Sequence, residues 1–357
     1  MSARQMVERV LRGERSDVVP FTIYECMIPQ CTVERSLRDR GLCIVKRDVP
    51  AYEVHRPNVK VTQHIYWDGE RQMTRTYYET PVGTLSTLSQ AGGFTTWWHE
   101  RMFKSPEDYR ALLFYIQDEV YEPTYDAFSR AQDAFGEDAI FRTGFGLEPL
   151  QALISGTLMD MQSFCVEWMD HRDEILKLYA ALVEQRRKLY AIVARSPALH
   201  ANYGGNVVPS IIGRETFEHY YLPHYQEAAE VMHTHGKYIG CHFDDNNKLI
   251  ADLIARTDLD YIEALTPAPG SDMTLGEARV AWPDKVLWLN FPSALHLKAD
   301  AEVRQATIAL LDEVPSCQGI IMGITEDMPP ERWQGSCQAI MDGLQQHARE
   351  HPHKYSR

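Results

Sequence analysis

Apolar and polar positions along the chain fall into two regimes. From residue 139 onward, short apolar runs recur between longer stretches of helical periodicity: AIFRTG (139–144), LHANYG (199–204), KYIGCHF (237–243), LDYIEAL (259–265), KVLWLN (285–290) and CQGIIMG (317–323). Two similar runs come earlier, VVPFTIYE (18–25) and LCIVK (42–46), the first behind an amphipathic segment, Ala3–Leu11, that ends near Gly13. A short, nearly continuous apolar run between helices reads as a strand covered on both faces, as in a parallel sheet. Eight of them predict an α/β fold, a closed (β/α)8 TIM barrel. An open doubly wound sheet is the alternative, but no GxGxxG follows the first strand.

Residues 52–103 break this pattern. VKVTQHIYWD, RQMTRTYYET and GTLSTL alternate, are rich in Thr and Tyr, and carry Asp68-Gly69 between the first two. That pattern predicts hairpins, so we expect an antiparallel β insertion, a candidate lid, within one domain spanning 1–357. Ser105, Pro106 and the acids behind them predict a helix start. A long helix is expected over 171–194, capped by Asp170, and Pro223 should interrupt the helical stretch 215–235. The tail HPHKYSR reads as expendable.

With 357 residues, 44% of them hydrophobic, the chain can bury a large core. Its net charge of −14 excludes a typical nucleic-acid binder and adsorption to an anionic membrane. No apolar stretch is long enough to span a bilayer and the N-terminus lacks a signal-peptide core, so the expected location is the cytoplasm. Seven scattered cysteines without a CxxC pair fit free thiols.

In a (β/α)8 barrel, chemistry sits at the C-terminal ends of the strands. The polar residues expected there are Tyr24, Glu25, Asn206, His242, Asp244, Asp245, Glu263, Asn290, Glu326 and Asp327. GCHFDDNN (240–247) is the sharpest segment, because His242 directly follows an apolar strand. It suits a metal ligand, an acid–base group or a packed core residue. Glu263 lies in an apolar run and needs a partner, either a functional one or a neighbouring strand's Arg or Lys. Glu326 is a site candidate or a helix cap. Gly204 and Gly205 permit close backbone approach next to Asn206. Trp97 and Trp98 are packing residues or contacts of a lid. Alternation puts Cys241 on the face opposite His242.

At these segments the sequence resembles the uroporphyrinogen decarboxylase superfamily. The resemblance is carried by GTLMDMQSFCVEWMDHRDEILKLY (156–179), by the GGN run with Phe217, Tyr220, Tyr221 and Pro223, by HGKYIGCHFDD (235–245) and by GIIMGITEDMPPERW (319–333). The decarboxylase branch implies an Arg-rich signature after the first strand, where this chain reads YECMIPQCTVERS (24–36). The corrinoid-dependent methyltransferase branch fits better. In its thiol-alkylating members a zinc site of His-x-Cys plus a late Cys would align with His242, Asp244 and Glu326. EALTPAPGSDMTLGEAR (263–279) looks like the branch that demethylates methyl ethers or methylamines, or passes methyl groups to a pterin. The resemblance implies zinc held by a set drawn from Glu227, His242, Glu263 and Glu326. It further implies a corrinoid carried by a partner protein, a small O- or N-methylated substrate, and a homodimer. In such an enzyme His242, Tyr24 and Asn206 would be catalytic, and Glu25, Asp244 and Trp98 would contact substrate. A decarboxylase, with Arg142 and Arg214 as its few cations, and a non-catalytic ligand sensor are the competing functions.

Overall fold

A computed structural model describes residues 1–92 and 95–355. They divide into two units: residues 1–51, 124–146 and 193–357 form one, and residues 52–123 with 147–192 the other. The last two residues of the HPHKYSR tail lie outside the described residues.

All eight expected barrel strands form in the first unit. They are β1 (Phe21–Tyr24), β2 (Leu42–Lys46), β3 (Ala139–Gly144), β4 (His200–Gly205), β5 (Tyr238–His242), β6 (Tyr261–Leu265), β7 (Val286–Leu289) and β8 (Ile320–Ile324). They run parallel and close in the order β1-β8-β7-β6-β5-β4-β3-β2, with β1 bonded to both β2 and β8. The fold is the (β/α)8 barrel that the apolar pattern predicts. Side chains alternate between the interior and the helix layer. Cys43, Val45, Ile140, Tyr261, Val286, Trp288 and Ile321 belong to one buried apolar cluster. Cys241, one residue from His242, instead puts its Sγ 3.5 Å from the hydroxyl of Tyr225 on the helix Leu222–Thr234.

Helix α1 (Ala3–Leu11) completes that cluster with Ala3, Val7, Val10 and Leu11. It starts where the sequence supplies a reciprocal cap: Ser2 Oγ accepts from Gln5 N, and the Gln5 side chain accepts from Ser2 N. Each aliphatic side chain that α1 buries is worth roughly 1.5–3 kcal/mol.

The second unit holds the antiparallel insertion. Strands Lys60–Asp68, Arg71–Thr80, Gly83–Gly92 and Thr95–Glu100 form one sheet, and Tyr52–His55 pairs with Val120–Pro123. The first hairpin turns at Gly69, whose φ of 61° is the left-handed value that Asp-Gly turns require. Ser105 and Asp108 make a capping box ahead of the helix Tyr109–Gln117. The helix that was expected to break at Pro223 is two helices, Pro209–Tyr220 and Leu222–Thr234.

Two expectations need correction. Asp170 does not cap the long helix Arg172–Arg195; it is the last residue of the preceding helix Met161–Asp170. That helix has its own cap in Asp160, and the two are separated only by His171, at φ −134° and ψ 41°. The tail is also docked rather than expendable: Lys354 O accepts from Cys317 N at 3.0 Å, and Tyr355 is buried. Among the described residues no helix is long and apolar enough to cross a membrane.

Candidate active site

The site is built around Glu263, which is fully buried on β6. Its register partner across the ladder is His242, the last residue of β5. Parallel pairing sets the two side chains side by side, with His242 Nδ1 2.7 Å from Glu263 Oε2. The same oxygen accepts from Asn202 Nδ2 of β4 at 2.9 Å. The other oxygen, Oε1, accepts from the Tyr24 hydroxyl at the end of β1 and lies 2.8 Å from Arg142 Nη1 of β3. The Arg142 contact is an ion pair rather than a well-directed hydrogen bond. Five strands therefore contribute to one polar network.

Each member is itself held. The Tyr261 hydroxyl lies 2.6 Å from Asn202 Oδ1 and 3.0 Å from His200 Nδ1, which turns the Asn202 amide nitrogen toward Glu263. Arg47 lies over the Tyr24 ring, 3.4 Å from its centroid, and pairs with Glu25 at 3.2 Å. Gly205 is the register partner of His242, with φ 147°. A Cβ on Gly205 would come within 2.8 Å of the His242 Cβ. The close approach that the GGN run permits is thus to an imidazole. Ala264 follows Glu263 with φ 58°, at the register shift between β6 and β7. Such bulges re-aim side chains beside sites, and the left-handed backbone of a non-glycine residue is strained.

The electrostatics follow from burial and neighbours. Burial alone would push the Glu263 carboxyl up, but Arg142 and His242 outweigh it and hold the group well below the usual carboxylate range. Burial likewise opposes charge on His242, yet Glu263 and Asp244 win and push its pKa up to about 9. Burial and the adjacent carboxylate raise the Tyr24 phenol far above its ordinary range, so it stays a donor. His200, fully buried and near Arg142, is pushed down to about 3 and stays neutral. At neutral pH the centre is a carboxylate flanked by two cations. One of these, His242, has Nδ1 engaged by Glu263 and Nε2 3.4 Å from Asp244 Oδ2.

Of the residues singled out in the sequence, Tyr24, His242, Glu263 and Asp244 come together. Asn206 stands exposed one residue past β4, in a left-handed conformation (φ 55°). Glu25 is the ion-pair partner of Arg47. Trp98 belongs to the antiparallel sheet of the second unit, under the guanidinium of Arg101 at 4.9 Å. Glu326 is exposed and accepts from the Ser293 hydroxyl, and Glu227 is half-buried on the helix Leu222–Thr234. Asn202 and Tyr261 were not singled out, and Arg142 entered only as a cation a decarboxylase would use. The available signal was an Arg, an Asn and a Tyr at inward-facing parity in otherwise apolar strands.

The zinc set Glu227, His242, Glu263 and Glu326 can be tested on donor geometry. No three of these residues bring one donor atom each within 4.8 Å of one another. Zinc takes neutral imidazole and free carboxylate lone pairs. Here His242 Nδ1 already meets Glu263, and four side chains surround the Glu263 oxygens. These residues do not suit zinc. Among the described residues, Asp312, His347 and His351 bring one donor atom each within 4.8 Å of one another.

No protein-family model matches the chain, and no curated protein matches it. Among solved structures, a methyltransferase from Methanosarcina mazei matches over 97% of this chain and 99% of its own length, at 11% identity and a TM-score of 0.58. At that identity the likeness bears on the fold. A structure of the pneumococcal virulence factor StrH covers 98% of this chain and 86% of its own, at 10% identity and a TM-score of 0.36, too low to carry an argument.

Proposed function

We propose that this chain is a methyltransferase acting on a small O- or N-methylated compound, with the methyl group passed to a corrinoid carried by a partner protein. One observation carries the reading: at the C-terminal end of the barrel His242 Nδ1 lies 2.7 Å from the fully buried Glu263 carboxylate, an arrangement that favours the protonated ring. The likeness in fold to a methyltransferase supports the same class.

Methyl transfer from oxygen or nitrogen is limited by the leaving atom, which gathers negative charge as its bond to carbon breaks. A positioned acid answers that need, and such proton transfer is worth roughly 10²–10⁴ in rate. His242 Nε2 gives its proton to the departing oxygen or nitrogen, and the neutral imidazole then regains one from solvent. Glu263 holds the Nδ1–H, fixes the ring and keeps it charged before the step. Tyr24, Asn202 and Arg142 keep that carboxylate ionised and immobile, so they position His242 rather than touch substrate. Asp244, beside Nε2 and part-exposed, orients the donor's polar groups. The corrinoid, when bound, supplies a reduced cobalt nucleophile for the methyl carbon. The chain need offer no ligand to that cobalt; protonated His242 fits the acid the reaction requires.

The decarboxylase alternative loses its cations to acidic partners. Arg142 is paired with Glu263 and Arg214 with Asp252, the latter at 2.6 Å. The test is a panel of methyl ethers and methylamines incubated with the protein and chemically reduced cobalamin. Formation of methylcobalamin with a demethylated product supports the proposal; carbon dioxide release from a carboxylated substrate without methyl transfer overturns it.

A further inference from the structure

We propose that Asp312, His347 and His351 form a divalent metal site, of the zinc class, that pins the C-terminal segment to the barrel end opposite the active site. Helix α2 (Asp300–Asp312) ends at Asp312, a short connection before β8 begins, and helix α3 (Trp333–Glu350) carries His347 in its last turn. His351 follows at the C-cap of α3, where its backbone N–H donates to His347 O at 2.9 Å. Positions four apart share one helix side. The two rings accordingly lie with centroids 4.7 Å apart, facing the Asp312 carboxylate.

The three donor atoms lie within 4.8 Å of one another, close to the spacing of a coordination shell. Asp312 Oδ1 is 3.3 Å from His347 Nε2 and 3.9 Å from His351 Nε2. In a tetrahedral site with bonds of about 2.0–2.2 Å, donor atoms stand roughly 3.3–3.6 Å apart. His347 supplies the second, independent observation. Its side chain is fully buried, and Nε2 makes no well-directed hydrogen bond; its neighbour is the Asp312 carboxylate of the same cluster, 3.3 Å away. Proteins pair such atoms in the great majority of cases. Its Nδ1 lies 2.7 Å from the Tyr355 hydroxyl, an outer-shell contact of the kind that orients metal-binding imidazoles. Two imidazoles and one carboxylate suit zinc, with water completing the shell. His351 is about a third exposed, which gives the ion a path in.

One group competes. Lys354 Nζ lies 3.3 Å from Asp312 Oδ1, and also 3.0 Å from Leu311 O and 3.4 Å from Asp312 O. The two carbonyls at the end of α2 can keep the ammonium when a metal takes the carboxylate. The site lies on the N-terminal side of β8, whereas the His242 network lies at the strands' C-terminal ends. In this fold the N-terminal face serves stability rather than catalysis.

The test is titration of chelator-stripped, full-length protein with Zn²⁺ and with Co²⁺ as a spectroscopic probe. The expected result is one equivalent bound, visible d–d bands of four-coordinate cobalt, and a raised unfolding temperature. Asp312→Asn and His351→Gln, both at accessible positions, should each weaken binding by ~10-fold or more, while His242→Gln leaves it unchanged. No stoichiometric binding, or the same affinity in both ligand variants, overturns the proposal. If both variants fail to fold, Lys354→Met decides: tighter zinc binding supports the site, and unchanged or weaker binding overturns it.

Discussion

Replacing Glu263 by Gln keeps the shape of the network and removes its charge. Arg142 and His242 would then share a buried space with no anion between them. Breaking a buried pair from one side costs about 3–5 kcal/mol. The pH dependence is the sharper readout. His242 is pushed from 6.5 up to about 9 in the folded chain, which at 1.36 kcal/mol per unit corresponds to about 3 kcal/mol of linkage. Its folded value is raised, so this contribution is complete below pH 6.5 and is lost as the pH climbs through 9. The depressed Glu263 reports the same interaction from the other side, so it is counted once. Urea unfolding of the wild type at a series of pH values should therefore show stability falling between pH 6.5 and 9. Glu263→Gln should lose most of that slope, with Asp244 supplying the remainder, and the imidazole resonances of His242 should show its titration shifted to lower pH. His242→Gln should lose the slope while leaving Glu263 paired with Arg142, which covers the case in which Glu263→Gln does not fold. An unchanged slope in both variants would refute the idea that this buried carboxylate holds His242 in its charged form.

Two further outcomes follow from packing. Gly205→Ala puts a Cβ 2.8 Å from the His242 Cβ at a backbone φ of 147°; it should lower stability by about 1–3 kcal/mol and shift the His242 titration, measured by unfolding and NMR, and a silent substitution would count against the close packing. Leu11→Ala should cost about 2–5 kcal/mol, because α1 completes the buried cluster of the first unit; a loss below 1 kcal/mol in urea unfolding would mean that α1 contributes little to that core.

The barrel was legible because each of its strands is covered on both faces, and such strands announce themselves as short apolar runs between helices. The ends of those runs also gave Tyr24, His242 and Glu263. Arg142, Asn202 and Tyr261 were harder to read because they sit inside the runs, where a single polar residue looks like an interruption. Parity was the usable clue: Ile140 and Arg142, or Tyr261 and Glu263, are two apart and point the same way. Which acid meets His242 depends on strand register, and a one-residue slip would have turned Glu263 outward. The grouping of Glu227 with Glu326 came from resemblance rather than geometry, and helix rotation around a barrel is not written in spacing. The tail misled because its polar composition hides Tyr355, whose ring is buried and whose hydroxyl meets His347. Asp170 misled because a helix start beside a helix end gives two acids, Asp160 and Asp170, the same local appearance.

The most direct measurement is the pH–rate profile of methyl transfer to reduced cobalamin by the wild type and by His242→Gln, using whichever donor the panel identifies. The wild-type rate should hold on the acidic side and fall as the pH passes about 9, where His242 loses its proton. His242→Gln should be slower by roughly 10²–10⁴, with that alkaline limb absent. A variant as fast as the wild type, with the same limb, would contradict the assignment of His242 as the acid of the reaction.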